Sequence, residues 1–187
     1  MQEDIKKALE VLKKGGTILY PTDTVWGLGC DATNVQAVAR LYEIKKRQDS
    51  KSMLVLIDQD GRLNSYVREI PEIAWELIDA SDKPITIIYP LAKNLAANLI
   101  AEDGSIGIRI SRDEFCVELI KRFNKPIVST SANISGEPTP SLFSEISEEI
   151  KESVDYVVEW RQEDTTKNPP SSIIKLGEGG VFKIIRP

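Results

Sequence analysis

The strand-like runs of this chain are short, β-branched and unevenly interleaved with helices, and that order restricts its fold more than any other feature. "TILY" (Thr17 to Tyr20), "SMLVLI" (Ser52 to Ile57), "PITIIYPL", "SIGIRI" (Ser105 to Ile110) and "PIVST" carry side chains suited to a pleated, buried surface. Between them lie stretches of helical period. Asp4 to Lys14 has Ile5, Ala8, Leu9 and Leu12 on one side and ends at Gly15-Gly16; Asn34 to Lys46, Ile73 to Asp79, Asp113 to Phe123 and Ser141 to Glu152 read the same way. Strict alternation would predict an all-parallel sheet. Here "VDYVVE", "SSIIKL" and "FKIIR" close the chain as strands with no helix between them. The expectation is an α/β fold: a mixed parallel and antiparallel sheet with flanking helices. "TDTVWGLGCDA" reads as a loop, with Gly27 and Gly29 permitting unusual backbone angles, and Arg161 to Ser172 as the longest connection. No repeat or linker divides the 187 residues, so one domain, 1–187, is expected.

Composition narrows the chemistry. The chain has no histidine, which excludes Ser-His-Asp and Cys-His catalysis, His-ligated zinc and imidazole proton shuttling. Its two cysteines, Cys30 and Cys116, are far apart and read as reduced thiols. A net charge of −5 argues against a surface built broadly for nucleic acid while leaving room for one basic groove. No apolar run approaches the ~20 residues of a membrane span. The opening "MQEDIKKALEVLKKGG" is charged and amphipathic rather than signal-like, so a cytoplasmic address is expected.

Four polar clusters sit at the ends of predicted elements. The first is Thr22, Asp23 and Thr24 with Gly27 and Gly29. The second, "KKRQDSK", holds Lys45, Lys46, Arg47 and Lys51. These cations either complement a helix C-terminus or clamp a polyphosphate, with Arg47 as a planar fork. Residues two apart on a helix diverge by about 200°, so Lys45 and Arg47 converge only if the helix has ended between them. The third cluster is Ser105 to Arg109. Arg109 shares a strand face with Ser105 and Gly107, opposite Ile106, Ile108 and Ile110; if both faces are covered, it needs an anionic partner. The fourth, Ser129 to Ser135 with Thr139 and Ser141, reads as a turn and helix cap through Asn133 or Ser135, or as a pocket rim. Neither a Walker A pattern nor GxGxxG occurs.

Taken in order, "GGTILYPTDTVWGLGCDA", "YEIKKRQDSKSMLVLI", "SIGIRI", "KPIVSTSANISGEPTP", "PSSIIKL" and terminal "IIRP" resemble the YrdC/TsaC family in its short form, over nearly the whole chain. The resemblance implies a YrdC-like twisted sheet with a concave basic groove. It implies L-threonylcarbamoyladenylate synthesis from L-threonine, bicarbonate and ATP with Mg²⁺. In that reaction threonine's amine is carboxylated, and the carbamate attacks the α-phosphorus and releases pyrophosphate. Partner proteins then transfer the product to the adenosine next to the anticodon of tRNA. Such chemistry rests on positioning and charge neutralisation, which a histidine-free site can supply.

By motif match, Lys45 and Arg47 are the family's K-x-R pair and the catalytic candidates. Arg47, Lys51, Ser105, Asn133, Ser141 and Arg186 match ATP-contacting positions. Thr22, Thr24, Arg109, Ser131 and one of Ser171 and Ser172 match the threonine site; Ser129, Thr130 and Ser135 are expected to be structural. No protein metal ligand is implied. The family's "KGRP..KPL" stands here as "KKRQDSKSM", without its prolines, and its "PGP-T" as "SDKPIT". Two competing readings come with the resemblance. One is a non-catalytic module binding tRNA, double-stranded RNA or nucleotide through phosphate contacts. The other is a carbamoyl-transfer domain of the hydrogenase-maturation kind. An amino-acid pocket formed by Thr24, Arg109 and Ser131 favours the synthase over a pure RNA binder, and a carbamoyl-transfer domain of that kind usually sits within a much larger chain.

Overall fold

The computed structural model describes residues 1–46, 53–177 and 181–187. Its centre is a nine-stranded sheet in the order β7-β1-β2-β6-β3-β5-β4-β8-β9. The strands are β1 (Ile18–Tyr20), β2 (Gly27–Gly29), β3 (Leu54–Ile57), β4 (Ile85–Tyr89), β5 (Ile106–Ile110), β6 (Ile127–Ser131), β7 (Tyr156–Val157), β8 (Ser172–Leu176) and β9 (Phe182–Arg186). β1 with β7, β3 with β5 and β4 with β8 run parallel; the remaining neighbours are antiparallel. The mixed sheet implied by the uneven alternation is thus present.

Helices α1 (Gln2–Lys13), α2 (Val35–Ile44), α3 (Leu63–Tyr66), α4 (Glu72–Ala80), α5 (Glu114–Phe123) and α6 (Glu148–Ser153) cover it. Two begin on caps visible in the sequence. Asn34 Oδ1 accepts from the N–H groups of Gln36 and Ala37, and Asp113 Oδ1 from that of Cys116, satisfying donors that a helix start leaves open. α5 stops where Asn124 takes φ 57°, a left-handed C-terminal residue. Its stripe of Phe115, Leu119 and Phe123 is buried, as is α1's stripe of Ile5, Ala8 and Leu12.

Two stretches differ from their sequence reading. "TDTVWGLGCDA" contains β2, because Gly27–Gly29 pairs with both β1 and β6. A Cβ at Gly29 would come within 2.6 Å of Tyr20 Cε1 and 2.7 Å of the Val128 carbonyl oxygen, so the strand is glycine-rich because its neighbours press on it. Ser141 to Glu152 is not one helix. Glu145 turns back to accept from the N–H groups of Ser141 and Leu142, closing a tight turn over Phe143–Glu145. Ser147 then accepts from the N–H of Ile150 and starts α6 afresh, a competition with continuous helix typical of serine.

Candidate active site

One face of the central strands carries the site. Side chains alternate along a strand, so Gly107 and Arg109 of β5 face a cavity of about 290 Å³ while Ile108 and Ile110 face away from it. The same alternation brings Ser129 and Ser131 of β6, Thr86 and Ile88 of β4, and Ile173 of β8 with the adjoining Ser171 to the cavity wall. Ser171 faces it and Ser172 does not.

Arg109 is 3% exposed. Its Nη1 donates to Thr24 Oγ1 at 3.0 Å, and its Nη2 lies 3.2 Å from Asp23 Oδ1. That ion contact lacks hydrogen-bond geometry, and Nε of Arg109 has no hydrogen-bond partner among the described residues. The charge is balanced but the guanidinium keeps donor capacity. Thr22 stands behind Thr24: its hydroxyl lies 3.1 Å from Thr24 Oγ1, accepts from the Thr24 N–H and donates to the Val25 carbonyl. Thr22 therefore orients Thr24 and does not itself line the cavity.

Arg186 reaches the same cavity through a bulge. Ile174 pairs with Ile184, yet the next pair is Ile173 with Arg186, so Ile185 is an extra residue. In regular pairing Ile185 would sit opposite Ile173, and Arg186 would share a face with Ile184. With the bulge, Arg186 shares the face of Ile173, its Nε donating to the Ser171 carbonyl at 2.8 Å and its Nη2 lying 3.4 Å from Ser171 Oγ. Ser171 Oγ in turn lies 2.8 Å from Thr86 Oγ1. Burial, and after it the charge of Arg109, draws the Arg186 guanidinium below its ordinary value. Two cations thus share one cavity, an arrangement relieved by an anionic ligand.

Lys45 is placed differently. It is 2% exposed, at the C-terminal end of α2, and its Nζ donates to the carbonyls of Ser131 at 2.6 Å and Asn133 at 2.7 Å. The Ser135 N–H donates back to the Lys45 carbonyl at 2.9 Å. Lys45 thereby holds the Ser131–Ser135 turn against the end of α2. Arg47 and Lys51 lie outside the described residues.

The other expected site residues divide. Asn133 caps no helix; its amide donates to the Ile134 and Glu137 carbonyls, and its buried Oδ1 has no hydrogen-bond partner among the described residues. Ser105 is off the cavity wall, its hydroxyl 2.5 Å from Asp103 Oδ1. Lys175 binds the other oxygen of Asp103, and these bonds hold that carboxyl down to about 2. Ser141 lines a separate small crevice with Thr22, Trp26 and Arg161. Conversely, Thr86, Ser129, Thr130 and Thr139 line the cavity. Ser129 was legible: the period of two that brings Ser131 to the wall brings Ser129 beside it.

No group of three or more acidic, cysteine or histidine side chains able to hold a metal occurs among the described residues. Hydroxyls and guanidiniums suit a Mg²⁺ that arrives on polyphosphate oxygens and water, rather than one caged by protein. Among the described residues no helix is long and apolar enough to cross a membrane.

One face of this mixed sheet carries two arginines and a set of hydroxyls around a single cavity, chemistry that suits an anionic small molecule. The Sua5/YciO/YrdC family model, described as "Telomere recombination", matches residues 10–187, and the chain belongs to that family. It is 36% identical over 185 residues to a threonylcarbamoyl-AMP synthase of Pseudoalteromonas translucida, covering 97% of this chain and 98% of that protein. The crystal structure of P. abyssi Sua5 complexed with L-threonine matches with a TM-score of 0.85 and 25% identity over 98% of this chain. Full-length HypF in its phosphate- and nucleotide-bound form matches with a TM-score of 0.82 and 26% identity, also over 98% of this chain. The chain spans 53% of that Sua5 and 28% of that HypF.

Proposed function

We propose that this protein is an L-threonylcarbamoyladenylate synthase, converting L-threonine, bicarbonate and ATP into threonylcarbamoyl-AMP and pyrophosphate. The observation that carries the reading is Arg109: a buried guanidinium, fixed by Asp23 and Thr24 yet retaining donor capacity, at one side of a cavity with a second arginine. The threonine-bound Sua5 neighbour and the synthase relative support it.

In this scheme Arg109 takes the threonine carboxylate and Thr24 lies beside it as a hydroxyl partner. Binding the carboxylate fixes the position from which the amine attacks the bicarbonate carbon, forming the C–N bond as a C–O bond breaks and water leaves. The resulting carbamate oxygen attacks the α-phosphorus, the bond to the bridging oxygen breaks, and pyrophosphate leaves with the electron pair. Ser129, Ser131 and Thr139 offer hydroxyl donors along the wall. Arg186, held on the Ser171 carbonyl, meets charge developing on the phosphoryl oxygens, and such preorganised donors stabilise a transition state without rearranging. Arg47 and Lys51 belong to the same scheme as further ATP contacts, and Lys45 supports it by holding the Ser131–Ser135 turn. Mg²⁺ bound with ATP would neutralise phosphate charge. The product serves tRNA modification in the cytoplasm through downstream transfer proteins.

Purified protein given threonine, bicarbonate, Mg²⁺ and ATP should release pyrophosphate and form threonylcarbamoyl-AMP by mass spectrometry. Turnover that persists without threonine, or no turnover at all, would overturn the reading. Arg109→Gln should lower kcat/KM for threonine by about a hundredfold, the cost of losing a charged hydrogen-bonded partner.

A further inference from the structure

The floor of the cavity has an open place where the fold asks for none. Gly107 pairs with Ile88 across β4 and lies beside Leu54 of β3. Its backbone is not in the left-handed region that favours glycine. A Cβ built there would sit 3.4 Å from Thr86 Cγ2, 3.6 Å from Leu54 Cβ and 3.8 Å from Ile88 Cγ1, all ordinary contacts. Neither backbone angle nor packing therefore requires glycine, and glycine inside a central strand weakens it. What the missing side chain preserves is cavity space, since all three of those neighbours line the cavity.

The shape and chemistry of this floor identify what rests on it. Leu54, the Gly107 backbone and Ile88 form an aliphatic strip across three strands, roughly 9–10 Å wide from two interstrand spacings. Phosphates gain nothing from such a surface, and threonine's only apolar group beyond its backbone carbons is one methyl. A flat heteroaromatic ring matches it in width and character. We propose that Gly107 is the specificity-determining residue for the nucleotide base, leaving room for the adenine face to lie on β5 between Leu54 and Ile88. This rests on the synthase reading, with Arg109, two residues along the same strand face, taking threonine.

The test compares wild type with Gly107→Val and Gly107→Ala by titration calorimetry, using ATP, inorganic tripolyphosphate and threonine as separate probes. Filling the floor should weaken ATP binding by about tenfold or more in the valine variant, as added methyl groups do in a fitted pocket. Tripolyphosphate, which has no base, should bind both proteins alike, and the KM for threonine should stay near wild type while that for ATP rises. Equal weakening of ATP and tripolyphosphate, or no weakening of ATP, would overturn the proposal. If Gly107→Val does not fold, Gly107→Ala, whose Cβ makes only ordinary contacts, should show the same ordering at smaller size. Wild type that binds ATP yet releases no pyrophosphate would remove the synthase reading while leaving the binding comparison decisive for Gly107.

Discussion

Lys45 shows how one side chain can serve a site without facing it. Its ammonium meets the Ser131 and Asn133 carbonyl oxygens of the Ser131–Ser135 turn, and the Ser135 amide returns a bond to the Lys45 carbonyl. Replacing it with methionine keeps the aliphatic stem and removes the donors, leaving two acceptors short of partners. Lys45→Met should cost about 1–3 kcal/mol in urea unfolding, together with synthase activity. A variant that lost activity with no loss of stability would instead mark Lys45 as a direct ligand. In the sequence Lys45 and Arg47 read as one cationic pair, because spacing cannot tell a lysine aimed at a ligand from one aimed at backbone. Arg109 was the more legible residue, since an arginine amid "IGIRI" can be tolerated in a covered sheet only with a partner. Nothing in the sequence marks Asp23 as that partner, because contacts between β5 and the turn after β1 leave no local trace.

Among the elements, β9 is the strand that "FKIIR" implies, but it carries a bulge that those letters do not show. Period-two reading of "FKIIR" puts Arg186 with Ile184 and Phe182, and nothing in those letters announces the extra residue that turns it over. The bulge becomes visible only against the register of β8. Deleting Ile185 should restore unbroken pairing and leave Arg186 opposite Ile173 on the cavity face. That variant should stay folded by circular dichroism and keep most ATP-dependent turnover, whereas Arg186→Gln should lose about a hundredfold, the scale of losing one preorganised charged donor. Equal losses in the two variants would show that the bulge does more than set the face of Arg186. β2 escaped the sequence reading for a related reason: Gly-Leu-Gly has little strand propensity, and its pairing is imposed by β1 and β6.

For the molecule as a whole, the edge formed by α1, β1 and β7 is fastened by two carboxylates. Asp4 accepts from the Tyr156 hydroxyl and the Glu159 N–H; Asp155 accepts from the N–H and hydroxyl of Thr17 and pairs with Arg40. Burial alone pushes both carboxyls up, but these donors and charges outweigh it and hold both below the ordinary 3.8. A depressed folded-state value stabilises the protein above the unfolded value and loses that contribution as pH falls through the folded one. Unfolding midpoints should therefore decline below about pH 4, and the Asp4→Asn, Asp155→Asn double variant should show a shallower decline. An identical decline in both proteins would assign the acid sensitivity to other carboxylates.

The strand order has a further consequence. Arg109 and Arg186 come from strands three apart in the sheet, and the hydroxyls between and beside them from β4, β6 and the residue leading into β8. Most of these pairings join distant parts of the chain, such as β6 with β2 and β8 with β4. Pairings of that kind close late, after large loop entropies have been met. The cavity is accordingly among the last features a folding chain acquires, and a nascent chain still lacking its final strand would hold Arg109 and its partners without being able to complete the pocket.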